Sequence, residues 1–235
     1  MASIVHGHEH EHDEALHHQF EDIEQQNESY VVGMWSFLVT EVMFFGALFF
    51  TYTLYRWTYQ LDFYKAHEHL NVPMGATNTT ILLFSSFTMV LAVYGAQIKN
   101  RMYVLINLAI TIACAFGFLI IKTFEYKDKF DAHLYPGITF TTNSAELHNA
   151  NLNHAQLYFG LYFGMTGLHA VHVIVGILLL STLFFLWYRR AKSVTVDFVP
   201  TELIGLYWHF VDLVWIFLFP LMYLIPNPAP HLMGH

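Results

Sequence analysis

Five long apolar stretches constrain the fold of this chain more than any other feature of its sequence. They cover residues 31–55, 78–98, 103–126, 157–188 and 203–225. A helix that crosses the hydrocarbon core of a bilayer needs about 20 mostly apolar residues. Since a spanning helix satisfies its own backbone hydrogen bonds, the sequence predicts an all-α bundle of five transmembrane helices.

The composition supports lipid as the main solvent of the chain. Only 12% of its residues are charged and 55% are hydrophobic, whereas soluble domains carry about 25% charged residues. The formal net charge of −8 argues against a basic nucleic-acid-binding surface. The single cysteine, Cys114, lies in an apolar stretch, so neither a disulfide framework nor a cysteine-based metal site is expected.

Residues 1–29 form an acidic, His-rich segment that contains "HGHEHEHDEALHH". It lacks the basic start and apolar centre of a signal peptide. We predict a solvated, disordered tail, with weak metal binding by the histidines as the alternative. Residues 30–235 show no internal repeat and are expected to form one membrane domain.

Basic residues indicate how the bundle is oriented in the membrane. They are equally divided between its two ends, but "KNR" (99–101) and "RRAK" (189–192) lie in short connections close to the spans. Short, span-proximal basic segments are typical of the cytoplasmic side. The sequence therefore predicts a cytoplasmic N-terminus and a periplasmic C-terminus.

Six acidic residues and histidines lie within or at the ends of the predicted spans: Glu41, Glu125, His169, His172, His209 and Asp212. A charge near the bilayer centre costs about 2.5–3.5 kcal/mol, so such groups usually face the protein interior and are candidates for function. Glu41 has no basic neighbour within a helical turn and needs a partner from another helix. Glu125 lies near the end of a span, where an interfacial charge is the simpler interpretation.

The fourth span carries a histidine pair and a glycine pair. His169 and His172 lie three residues apart in "HAVH" and share a helix face. They could bind a metal or form hydrogen bonds across helices. Gly160 and Gly164 form a GxxxG pattern, which predicts close backbone packing against a neighbouring helix.

The fifth span places two polar residues between tryptophans. His209 and Asp212 are i, i+3 neighbours, close enough to form a hydrogen bond that lowers the cost of burying both. Trp208, Asp212 and Trp215 share one helix face. The pair could be a clamp that holds this helix to another, or part of a proton relay.

In this order, these polar segments resemble subunit III of the haem–copper oxidases. The resemblance is carried by "GMWSFLVTEVMFF" (33–45), "NTTILLFSS" (78–86), "FEY" (124–126), "GLHAVHVIVG" (167–176) and "YWHFVDLVWIFLF" (207–219). Together these motifs extend over all five spans. The fifth motif is highly specific by itself.

The resemblance implies an accessory subunit of a proton-pumping, aa3-type cytochrome c oxidase that has no redox centre of its own. Glu41 matches the family's intramembrane carboxyl near the proton-uptake route and the lipid cleft. Six residues then belong to a structural polar network: Glu125, His169, His172, Trp208, His209 and Asp212. No metal site is expected in this chain.

The same resemblance implies its surroundings. Subunit I is the direct partner and subunit II belongs to the same complex, with haem and copper held in those partners and phospholipid bound to this one. The mitochondrial form has two further N-terminal spans, so this shorter chain is similar to bacterial forms. The resemblance therefore implies a bacterial cytoplasmic membrane as its location. A quinol oxidase is the alternative complex, and a larger respiratory assembly is compatible with either.

Two other classes of protein compete with this interpretation. A proton-coupled transporter could use Glu41, His209 and Asp212, but transporters tend to show inverted repeats and broken helices, which this sequence lacks. A membrane metalloenzyme could use His169, His172 and Glu125, but catalytic metal sites need three convergent protein ligands. Glu125 lies near a span end, whereas the histidines lie closer to mid-span.

Overall fold

The computed structural model describes residues 20, 22–137, 140, 151–195 and 197–226. These residues form seven helices: α1 (Ile23–Thr58), α2 (Gln60–His67), α3 (Val72–Gln97), α4 (Arg101–Asp131), α5 (Leu152–Arg189), α6 (Lys192–Thr195) and α7 (Val199–Tyr223). Five of them, α1, α3, α4, α5 and α7, are long and apolar enough to cross a membrane. The predicted all-α, five-span fold is confirmed. Of the predicted disordered tail, residues 1–29, positions 1–19 and 21 lie outside the described residues.

Four of the long helices surround one core, and α1 lies beside them. Helices α3 and α4 form a tight antiparallel hairpin, and α5 and α7 complete the bundle, each packing against the other and against one helix of the hairpin. Large aromatic side chains fill the centre, including Trp208, Trp215 and Tyr162. Helix α1 packs against α5 and α7, with only 11% of its apolar window buried, against 33–50% in the other four spans.

The first and third helices begin earlier than the predicted spans. Asp22 caps α1 by accepting a hydrogen bond from the backbone N–H of Gln25 at 2.7 Å, so residues 23–29 of the predicted tail are helical. Asn71 caps α3 through the N–H of Met74, and Pro73 fits the first turn because it needs no N–H partner there. Thr77 and Asn78, two further cap-forming residue types at the start of the predicted span, lie inside the helix.

The connection between the first two predicted spans contains the short helix α2. Asp62 on this short helix accepts a hydrogen bond from the backbone N–H of Asn151 at 3.0 Å. Its other carboxyl oxygen lies 2.6 Å from Nδ1 of His154, whose ring stacks on Tyr59. The carboxylate therefore lies at the N-terminus of α5, where the helix dipole favours a negative charge, and it joins the connection to the bundle.

The predicted GxxxG contact is not made within the described part of this chain. A Cβ added at Gly160 or Gly164 would meet nothing within 4 Å. The close approach on α5 is instead at Gly176, where an added Cβ would lie 2.7 Å from the Trp208 ring. The fully buried Trp208 ring leaves no room for a side chain at position 176, whereas Gly160 and Gly164 face outward.

Candidate functional site within the membrane

Glu41 on α1 is paired with His172 on α5, although the two residues are far apart in sequence. The carboxylate Oε2 lies 3.2 Å from Nε2 of the imidazole. Both side chains are partly accessible, 20% for Glu41 and 14% for His172. The expectation that Glu41 needs a partner from another helix is confirmed. The partner is His172, which the sequence pattern paired with His169 on the fourth span.

The hydrogen bonds of His172 define the chemistry of this pair. Its Nδ1 lies 3.0 Å from the carbonyl oxygen of Leu168, which can only accept, so Nδ1 carries a proton. Nε2 then either accepts a hydrogen bond from a neutral Glu41 or donates one, as an imidazolium, to an ionised Glu41. In both states the pair as a whole is uncharged, which lowers the cost of placing it in the membrane.

His169 has surroundings quite different from those of His172. Its ring is fully buried between Phe118 and Trp215, with centroid distances of 5.5 and 5.3 Å. Neither ring nitrogen has a hydrogen-bond partner among the described residues, so the predicted hydrogen bond across helices is not formed. The i, i+3 spacing places the two histidines about 60° apart around the helix, enough to direct one to the core and the other to α1.

The predicted hydrogen bond between His209 and Asp212 is not formed in the structure. Nδ1 of His209 lies 2.7 Å from Oγ of Ser86 on α3. The Asp212 carboxyl is 2% exposed, and neither of its oxygens has a hydrogen-bond partner among the described residues. Because α3 packs directly against α7, His209 pairs with a residue of the adjacent helix and not with Asp212. The interhelical clamp therefore joins His209 to Ser86.

Tryptophans of α7 strengthen the contact between α3 and α7. Trp208 Nε1 donates to Oγ of Ser85 and Trp215 Nε1 donates to Oγ1 of Thr79, each at 3.0 Å. Each indole buries a large apolar surface while its N–H finds a partner. Trp208 thus takes part in a polar contact between α7 and α3.

Glu125 is the centre of a buried charged cluster, so its interpretation as an interfacial charge is wrong. It is 1% exposed, and Oε2 lies 3.0 Å from Nζ of Lys122. Tyr162 of α5 donates to Oε1 at 2.8 Å, and Tyr223 of α7 donates to the same oxygen. The cluster joins α4, α5 and α7 and satisfies both charges.

Three members of this cluster, Lys122, Tyr162 and Tyr223, are not among the residues predicted from the sequence. Lys122 and Glu125 are i, i+3 neighbours in "KTFEY", a spacing at which opposite charges meet on one helix face, and this signal was available. The ammonium group also lies 4.9 Å from the centroid of the Trp215 ring, which adds a cation–π contact. No local pattern indicated the two tyrosines, because they come from other helices.

These groups define a polytopic membrane protein in which most intramembrane polar groups hold helices together. Among residues 22–137, 151–195 and 197–226 no group of three or more His, Cys, Asp or Glu could hold a metal ion. The Glu41–His172 pair differs from the others, since it is partly open to the outside of the bundle.

Comparison with known proteins identifies the class. Residues 131–226 match the family model described as cytochrome c oxidase subunit III. The cytochrome c oxidase subunit 3 of Bacillus subtilis is 31% identical over 87% of this chain and 90% of its own length. A "Probable quinol oxidase subunit 3" of Staphylococcus saprophyticus is 27% identical over 83% of this chain and 88% of its own length.

One relative carries the names of two oxidase subunits in a single chain. The "Heme-copper oxidase subunit I+III" of Aeropyrum pernix is 30% identical over 82% of this chain, which spans 22% of the length of that protein. The chain belongs to the subunit III family of the haem–copper oxidases. It is a multi-pass membrane protein.

Proposed function

We propose that this chain is an accessory subunit, without a redox centre of its own, of a proton-pumping aa3-type cytochrome c oxidase. It supports assembly, phospholipid binding and proton uptake by the catalytic subunit, while haem and copper are held by subunits I and II. The observation that carries this proposal is the Glu41–His172 pair, the partly accessible carboxyl–imidazole contact of the membrane region. Its position between α1 and the bundle allows it to act on a neighbouring subunit.

The remaining polar groups support a structural role. Glu125 and Lys122 satisfy each other within a shell of tyrosines, and His209 contacts Ser86 on the adjacent helix. The two histidines of "HAVH" face different surroundings, which favours packing over joint metal binding. A polar framework of this kind would fix the helices against which the catalytic subunit packs.

Several outward-facing side chains of α1 are large and apolar, among them Trp35, Met43 and Phe50. Such a face suits phospholipid or another membrane subunit.

We place the N-terminus in the cytoplasm of a bacterial cell. Arg101 donates to the carbonyl oxygens of Trp187 and Tyr188, which brings the basic "KNR" and "RRAK" segments together at one end of the bundle.

A quinol oxidase is the second candidate complex, because relatives from two Staphylococcus species are named probable quinol oxidase subunit 3 at 27% and 26% identity. One experiment distinguishes the candidates. The complex is isolated through a tag on this chain, its visible spectrum is recorded and the copper content of subunit II is measured.

Haem bands together with a copper-containing subunit II support the cytochrome c oxidase. Haem bands with a copper-free subunit II support the quinol oxidase. Recovery of the chain without any haem protein would contradict both proposals.

A further inference from the structure

The Glu41–His172 pair joins two helices that otherwise touch each other little. Helix α1 packs more extensively on α7 than on α5, yet its carboxyl group lies 3.2 Å from an imidazole of α5. The imidazole is held within α5, because its Nδ1 lies 3.0 Å from the Leu168 carbonyl oxygen. The distance between carboxyl and imidazole therefore depends on what fixes α1 relative to α5, and α7 is in contact with both helices.

Tyr207 of α7 contacts both of these helices beside the pair. Its hydroxyl donates to the backbone carbonyl oxygen of His172 at 3.2 Å. Its ring edge lies next to Gly176, one turn further along α5, where an added Cβ would be 3.6 Å from Cε1 of the tyrosine. On the other side the ring packs on Phe37 of α1, with centroids 6.1 Å apart, one turn before Glu41. The side chain is buried, so it fills the space between three helices.

Phe45 of α1 encloses the imidazole of the pair. It is buried, and its ring meets the His172 ring edge-on at a centroid distance of 5.2 Å. The same phenylalanine packs on Phe210 of α7 at 6.2 Å. Since Tyr207 and Phe210 are three residues apart, they lie on one face of α7. This face supports both members of the pair, and of its two rings only that of Tyr207 carries a hydroxyl that can bind α5.

We propose that Tyr207 is a positioning residue for the Glu41–His172 pair. Its ring sets the spacing between α1 and α7, and its hydroxyl holds the turn of α5 that carries His172. Together these contacts determine the distance and angle of the carboxyl–imidazole hydrogen bond. Any effect on proton uptake rests on the function proposed above for Glu41, whereas the geometry of the pair is testable without it.

The simpler alternative is that Tyr207 stabilises the bundle without any effect on the pair, and the chain offers a matched control for this. Tyr158 of α5 is also buried, and its hydroxyl also donates to a backbone carbonyl oxygen, that of Met222 on α7, at 3.0 Å. Tyr158→Phe and Tyr207→Phe each remove one hydroxyl from the contact between α5 and α7. Tyr158 lies 14 residues before His172, about 21 Å along the helix, so only the second variant acts beside the pair.

The experiment measures how fast an apolar carbodiimide labels Glu41 in the complete oxidase complex, by mass spectrometry of the peptide that contains this residue. Whichever member of the pair carries the proton, a carboxyl group that loses the imidazole is free to react. Labelling should therefore be roughly fivefold faster in Tyr207→Phe, equivalent to about 1 kcal/mol of hydrogen bonding, and unchanged in Tyr158→Phe. His172→Leu removes the imidazole and gives the upper limit of the rate.

A second measurement follows the infrared band of the Glu41 carboxyl group, assigned with Glu41→Gln. The position of this band reports the hydrogen bond to the imidazole, so it should shift in Tyr207→Phe and stay unchanged in Tyr158→Phe. If Tyr207→Phe does not assemble, Phe37→Leu replaces it, because this substitution alters the ring contact from the α1 side. Phe50→Leu, at a position of the same helix that is 70% exposed, is its control.

Labelling of Tyr207→Phe at the wild-type rate, or an unshifted carboxyl band in this variant, would overturn the proposal. An equal acceleration in Tyr158→Phe would overturn it as well, because the effect would then be general destabilisation. In the replacement variants, equal rates in Phe37→Leu and Phe50→Leu have the same meaning. Faster labelling of Tyr207→Phe with unchanged proton-uptake kinetics would support the positioning role and count against the function proposed for Glu41.

Discussion

At the scale of single residues, the membrane raises the cost of every unpaired charge, and the chain solves this problem in two ways. Glu125 is surrounded by its own cation and two tyrosine hydroxyls, so its position is determined by this chain alone. Glu41 has one partner from a distant helix and keeps an accessible side. A fully satisfied group is suited to structure, and a partly satisfied one can respond to a neighbouring subunit.

Replacing Glu41 by glutamine should leave oxygen reduction largely intact, because we propose that this subunit holds no redox centre. The amide can still donate to Nε2 of His172, but it cannot exchange a proton with it. We expect altered proton-uptake kinetics or a shorter lifetime during turnover, measured by rapid mixing with a pH indicator and by activity decay. Activity abolished in a fully assembled complex with its haems in place would show that Glu41 has another role.

His169 and His172 should be replaceable by glutamine without any loss of metal from the complex. Glutamine retains hydrogen-bonding groups, and the two imidazoles face different surroundings. Visible spectra and metal analysis of the purified variants test this prediction. A stoichiometric metal that disappears with either substitution would refute it.

The Lys122–Glu125 pair allows a quantitative test of how much the buried cluster stabilises the complex. Lys122→Met leaves Glu125 without its cation and should destabilise the assembled complex by about 3–5 kcal/mol, the typical cost of removing one partner of a buried pair. The double substitution Lys122→Met with Glu125→Gln should recover part of this loss, because no uncompensated charge remains. Thermal unfolding of the complex in detergent measures both, and a neutral single variant would contradict the role of the cluster.

At the scale of the helices, the close contact between α5 and α7 depends on Gly176. The Trp208 ring occupies the space in which a methyl group would lie. Gly176→Ala should therefore separate the two helices and cost about 1–3 kcal/mol, as overpacking of a filled core does.

Gly46→Ala on α1 is the control for this substitution, since an added Cβ there meets nothing within 4 Å. Equal melting temperatures of the two variant complexes would show that the contact between α5 and α7 is not tight. Replacing Trp208 by phenylalanine together with Gly176→Ala should restore part of the stability by freeing space.

The helices also show what the sequence could predict. Hydropathy and length located all five spans, because the membrane requires about 20 apolar residues whatever their neighbours are. The helix ends were less predictable, since Asn71 and Asn78 are both suitable caps and only packing buries Asn78 inside α3. Partners across helices, such as Ser86 for His209, depend on the relative position of two helices, which neither sequence segment contains.

At the scale of the whole molecule, the five spanning helices divide into a compact unit and an attached helix. Helices α3, α4, α5 and α7 bury their polar residues against one another. Helix α1 contributes Glu41 but has little buried surface of its own. Its outer face is therefore the part of the chain for which another molecule is most needed.

This division predicts how the chain behaves with and without its complex. In the oxidase we expect it to copurify in a one-to-one ratio with a many-span catalytic subunit, as the fused subunit I+III relative suggests.

In the isolated chain, the backbone amides of α1 should exchange with deuterium much faster than those of the α3–α4 hairpin, because a helix with few buried contacts opens locally at low cost. In the complex this difference should become much smaller. Mass spectrometry of peptides from both preparations measures it, with α4 as the internal reference. Slow exchange in α1 of a monodisperse isolated chain would show that the five helices need no partner, and the assembly role proposed for this subunit would then be wrong.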